Sequence, residues 1–72
     1  MISFKPLLKQ LIDKDMSKSD FIKLMGISTS TASKMWKNEY VALKIIDDIC
    51  KEFECSISDV IEFIPDQKNN KS

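Results

Sequence analysis

The side chains of this chain that can do chemistry are hydroxyls and ammonium groups, and they gather between positions 17 and 37. Ser17, Lys18, Ser28, Thr29, Ser30, Ser33, Lys34 and Lys37 all fall there, and from Phe21 to Asn38 no acidic residue interrupts the stretch. Such groups donate hydrogen bonds to anionic and polar oxygens, and a Ser at a helix start adds backbone N–H groups that favour anions. Contact with phosphate is therefore the chemistry this pattern suits.

Other chemistries find few of their residues. There is no His, and the two cysteines cannot supply the roughly four ligands of a zinc site. Cys50 and Cys55 do not have CxxC spacing and sit in or beside an apolar helical pattern, so they read as reduced, packed thiols, with a disulfide as the alternative. A single Gly rules out a glycine-rich phosphate loop, and no carboxylate sits in an apolar setting that would tune it as an acid or base. We expect no enzyme, no cofactor, no metal and no small-molecule ligand.

Net charge is zero, but its distribution is uneven. Residues 1–38 hold seven Lys and three Asp, and residues 39–72 hold four Lys and eight Asp or Glu, which gives about +4 and −4. A neutral domain of this kind can still present a basic side. Lys5, Lys9 and Lys14 read as ordinary surface charge, with a phosphate contact by one of them as the alternative. Asp47, Asp48, Glu52 and Glu54 read as a solvated helix face, with a protein-binding face as the alternative.

The elements that must position these groups follow from hydrophobic periodicity. At 72 residues, 43% hydrophobic and 31% charged, the chain holds one small packed domain. No apolar run approaches the roughly 18 residues of a membrane span, and no signal-peptide pattern opens the sequence, so a cytoplasmic protein without membrane attachment is expected. Phe4, Leu7, Leu8, Leu11 and Ile12 define a first amphipathic helix with Ser3 as N-cap and an end near Lys14. Ser17 caps a second, carrying Phe21, Leu24 and Met25, which Gly26 stops. Ser28 caps a third, with Ala32, Met35 and Trp36 inward and Thr29, Ser30, Ser33, Lys34 and Lys37 outward. Trp36 reads as a seal between helices, with a dimer or DNA-adjacent surface as the alternative.

A polar break at Asn38-Glu39-Tyr40 leads to the strongest helix, marked by Ala42, Ile45, Ile46, Ile49, Cys50 and Phe53. Ser56-Ile57-Ser58-Asp59 predicts a fifth, short helix carrying Ile57, Val60, Ile61 and Ile64 and stopped by Pro65. No segment shows a strand period. The expected fold is all-α, with five helices over residues 1–65 and a flexible tail over 66–72.

The second and third helices, joined by a Gly-containing turn, have the spacing of a helix-turn-helix. The stretch Ser17-Lys18-Ser19-Asp20-Phe21-Ile22-Lys23-Leu24-Met25-Gly26-Ile27-Ser28-Thr29-Ser30-Thr31-Ala32-Ser33-Lys34-Met35 resembles the DNA-binding unit of the Cro and phage-repressor (XRE-like) family. The "GIS" turn, the Ile-rich fourth helix and the closing "CSISDVIEFIP" extend that resemblance over about residues 3–65. It implies a third helix lying in the major groove of double-stranded DNA. Thr29, Ser30, Ser33 and Lys34 would then face base edges, Lys37 would lie near phosphate, and Ser17, Lys18 and Ser28 would contact phosphate at helix N-termini.

This sequence departs from the family pattern in places. A small residue commonly stands four positions before the turn Gly and a branched apolar one six after it; here the pair is Ile22 and Ala32, an exchange of volumes that a core can accommodate. Arg is absent, which removes the bidentate guanine contact and leaves Lys34 or Lys37 to make a less directional one. A homodimer with two third helices about 34 Å apart would restore specificity, and Leu43, Val60, Ile61, Phe63 and Ile64 are candidates for its surface. The expectation is a transcriptional regulator, a repressor in sign, acting as a homodimer. The alternative is a protein-interaction module, such as an antirepressor, using the same fold without reading DNA.

Overall fold

In the computed structural model, which describes residues 1–65, strand β1 (Ile2–Ser3) is followed by helices α1 (Lys5–Asp13), α2 (Lys18–Met25), α3 (Thr29–Trp36) and α4 (Leu43–Phe53). A single 3₁₀ turn (Ile57–Asp59) and strand β2 (Glu62–Phe63) follow. The fold is all-α in its layers, with one two-stranded antiparallel ribbon that pairs Ile2 with Phe63 and Ser3 with Glu62. Among the described residues no helix is long and apolar enough to cross a membrane. The expected tail at 66–72 lies outside the described residues.

The four helices start and stop close to where periodicity and capping place them. The core comprises Phe4, Leu7, Leu11, Phe21, Met35, Ile46, Ile49 and Val60. Each removes apolar area worth roughly 1.5–3 kcal/mol for a fully buried large side chain. Ile12 and Leu24 are corrections to the expected faces: Ile12 is 77% exposed and Leu24 45% exposed. In both, the apolar spacing runs wider than the stripe that neighbouring elements cover. Cys50 and Cys55 are half-buried free thiols, and burial, reinforced by the adjoining Cys55, pushes the Cys50 thiol up.

The expected fifth helix is replaced by the 3₁₀ turn and β2, and the start of α1 explains why. A helix leaves its first N–H groups without intrahelical partners. In α1 the Lys5 N–H donates to Ser3 Oγ (3.1 Å), Pro6 has no N–H, the Leu7 N–H donates to the Val60 carbonyl (3.2 Å), and the Leu8 N–H donates to the Phe4 carbonyl (3.1 Å). Every early donor is thus satisfied, one by a residue far along the chain. Val60 is fully buried in providing it, and the chain beyond runs extended into β2, as suits the β-branched Ile61 and Ile64. Ser3 supports this helix start from one position further out than expected, because Phe4 occupies the N-cap.

Asn38 ties the N-terminal segment to the exit of α3. Its backbone is left-handed (φ 60°), and its side-chain carbonyl accepts the Phe4 N–H at 2.8 Å. Glu54 closes α4 in the same left-handed region (φ 50°), where a Cβ is strained and Gly is not. The 6→1 bond from the Cys55 N–H to the Cys50 carbonyl (3.1 Å) completes that cap.

Two stability changes follow. Asn38→Ala should lower the unfolding free energy in urea by roughly 1–3 kcal/mol by orphaning a buried N–H, with Asn38→Asp losing less. Glu54→Gly should raise it by about 1 kcal/mol in the same titration.

Candidate nucleic-acid interface

The helix pair α2–α3 is built by two serine caps and one glycine. Ser17 Oγ accepts the Asp20 N–H (3.0 Å), and the Asp20 carboxylate accepts the Ser17 N–H (3.3 Å), a reciprocal capping box. Gly26 then ends α2 with φ 67° and donates its N–H to the Ile22 carbonyl at 2.9 Å. A Cβ at Gly26 would meet nothing within 4 Å, so the requirement for Gly there is conformational and not steric.

Two residues later Ser28 opens α3. Its hydroxyl oxygen accepts the Thr31 N–H at 3.1 Å and also lies 3.0 Å from Thr31 Oγ1 and 3.3 Å from Ser30 Oγ. The hydroxyls of Ser28, Ser30 and Thr31 thus form one connected cluster at the helix start. The cap serves the Thr31 donor, while the N–H groups of Thr29 and Ser30 belong to the unpartnered first turn, where the helix dipole favours an anion.

The inner side of α3 is fixed by Ala32 and Met35, both buried. Of the residues expected on its outer side, Thr29, Ser30, Lys34 and Lys37 are exposed and Ser33 is half-buried. Ile22 is half-buried on α2. Phe21 is buried between the other helices, with its ring 5.9 Å from that of Trp36 and 6.0 Å from that of Phe53. Tilted aromatic contacts at this range are worth about 0.5–1.5 kcal/mol beyond their area.

Trp36 does seal α3, on Phe21, but it is only half-buried, and the Lys18 ammonium lies over its ring at 5.1 Å. That contact brings the first residue of α2 beside the last turn of α3, so Ser17 and Lys18 sit at the same end of the unit as Trp36 and Lys37. No spacing rule joins Lys18 to Trp36. The one legible signal was the presence of a cation at a helix start and a single Trp on the next helix. The lysines of this unit make no ion pair among the described residues. The ion pairs there are Lys44–Asp48 and Lys51–Asp47, both at 3.1 Å and both on α4, so Lys18, Lys23, Lys34 and Lys37 stay free of carboxylates.

Comparison with known proteins agrees with this geometry. The family model for the Cro/C1-type HTH DNA-binding domain matches residues 6–66. The crystal structure of the transcriptional regulator VanUg, form II, is similar to this chain at 40% sequence identity and a TM-score of 0.85, over 90% of this chain and 87% of that one. No curated protein matches.

Ser28→Ala should cost roughly 1 kcal/mol of stability through the lost cap, read as a lower thermal midpoint with the helical circular dichroism of the folded state retained.

Proposed function

Since the chain belongs to the Cro/C1-type helix-turn-helix DNA-binding family, we propose that it is a sequence-specific transcriptional regulator, a repressor, that reads duplex DNA as a homodimer with α3 in the major groove. The observation that carries this reading is the exposed, acid-free outer side of α3, which starts at a capped helix N-terminus and is flanked by Lys18 and Lys37. In this reading Thr29, Ser30, Ser33 and Lys34 face base edges. Ser17, Lys18, Ser28 and Lys37 hold the backbone through phosphates, which fixes register without reading sequence.

The absence of Arg sets the expected strength. Lysine reaches guanine as a point charge and not as a planar fork, so one copy binds with modest specificity and a strong dependence on salt. Two copies on adjacent half-sites multiply the number of base contacts. The domain carries out this work in the cytoplasm and needs no cofactor or small molecule for it.

A second reading, a protein-interaction module that does not read DNA, is favoured by the neutral total charge and by large apolar side chains left exposed at Tyr40, Leu43 and Phe63. Salt separates the two, because phosphate neutralisation releases counterions and an apolar protein contact does not.

The test is fluorescence anisotropy with a labelled duplex from the gene's own upstream region, at two salt concentrations and with a scrambled competitor. Binding should fall steeply with salt and resist the scrambled duplex. Lys34→Ala should weaken the specific site about tenfold with little effect on scrambled DNA. Lys18→Ala should weaken all duplexes alike and reduce the salt slope by about one. Absence of binding by the folded protein would overturn the reading in favour of the interaction module.

A further inference from the structure

We propose that Cys50 and Cys55 form a reversible thiol–disulfide exchange site, in which Cys55 attacks a low-molecular-weight disulfide and Cys50 resolves the product into an intramolecular disulfide across the C-terminal cap of α4. The site lies outside the α2–α3 unit, and it stands whether or not the chain reads DNA.

The cap itself brings the two thiols together. Glu54 turns the chain through the left-handed region (φ 50°), and the Cys55 N–H donates back to the Cys50 carbonyl at 3.1 Å. With standard backbone lengths, that bond keeps the two Cα atoms within about 7 Å, and a disulfide spans roughly 4.4–6.8 Å. In a cap of this kind the side chains of the two residues joined by the 6→1 bond pack on each other. Here both side chains are thiols, close enough for a direct hydrogen bond. Both are free and half-buried, so a small reagent reaches them, and the chain has no third cysteine to compete.

Their surroundings divide the roles. Gln10 Nε2 donates to Cys55 Sγ at 3.5 Å, a contact that strengthens as the sulfur gains negative charge. The same amide donates to the Asp59 carbonyl at 2.7 Å, which holds it in place. Burial, reinforced by the adjoining Cys55, pushes the Cys50 thiol up. That handicap matters less in the second step, where the sulfur under attack is already in contact.

The Cys55 thiolate attacks one sulfur of the reagent, which forms a mixed disulfide and expels one thiolate. Cys50 then attacks Cys55 Sγ, which forms the Cys50–Cys55 bond and expels the second. The expelled thiolates take up the two cysteine protons, so the protein loses two electrons and two protons and the reagent becomes two thiols. The closed loop contains Phe53, whose ring lies 6.0 Å from that of Phe21. Oxidation therefore clips the end of the helix that supports the aromatic centre.

The test is incubation of the full chain with bis(2-hydroxyethyl) disulfide and 2-mercaptoethanol, then acid quenching, intact mass and thiol titration. The folded wild type should lose both titratable thiols and two hydrogens of mass, run as a single chain on a non-reducing denaturing gel, and recover both thiols in dithiothreitol. Cys50→Ser should stop at the mixed disulfide, and Cys55→Ser should form its adduct about tenfold more slowly, with the helical circular dichroism of both retained. In urea that unfolds the wild type, the ratio of closed to mixed disulfide should fall about tenfold, because the cap no longer holds the thiols together. A wild type that stays reduced, stops at the mixed disulfide or links chain to chain would overturn the proposal. So would closure that is as favourable in the unfolded chain, or a Cys55→Ser variant as reactive as Cys50→Ser.

Discussion

The orientation of α3 depends on one side chain from another helix. Phe21 projects from α2 into the space between Trp36 and Phe53, fully buried, so the rings of three helices meet at one point. Ring pairs prefer tilted over stacked-sandwich arrangements, and this preference fixes direction where aliphatic contact would fix only distance. An eight-residue helix has little rigidity of its own, because a short helix in water is marginal. Its hydroxyls and ammonium groups are held in place because its inner residues, Ala32, Met35 and Trp36, are seated on this centre.

Around that centre the chain closes on itself through polar bonds that join distant segments. The Val60 carbonyl completes the start of α1, Asn38 completes the backbone of Phe4, and the ribbon pairs the two ends of the described chain. The first two satisfy donors on buried residues, Leu7 and Phe4, that would otherwise be orphaned, and an unmade interior bond costs more than a made one contributes. A domain of this size has a limited apolar core, so its uniqueness rests heavily on such closures.

This division also explains what could be read from the sequence. The four helices were legible because their signals are local: Ser17 and Ser28 cap within three residues, Gly26 stops α2 through its own backbone freedom, and Leu7, Leu11, Ile46 and Ile49 repeat with the helical period. The outward residues of α3 were legible for the same reason. The segment after Ser56 was not, since Ile57, Val60, Ile61 and Ile64 fit helical spacing equally well. Its path is set by Leu7 and by Ile2, more than fifty residues away. Ile12 and Leu24 failed because periodicity states which face a residue shares and not how far the neighbours reach. The Lys18–Trp36 contact and the Asn38 bond join positions that no pattern links, and the resemblance to Cro-type repressors implies roles for the residues of α3 without implying either.

Trp36 is the only tryptophan in the chain, and it touches both halves of this account. The indole packs in a tilted contact on the buried Phe21 ring, and the Lys18 ammonium lies over it at the surface. Its ultraviolet emission therefore carries two signals at once. Loosening of the aromatic centre admits water to the ring, while movement of Lys18 toward an anion removes a cation from its π-face. The molecule has, in effect, an optical probe built into the joint between its core and its polar surface.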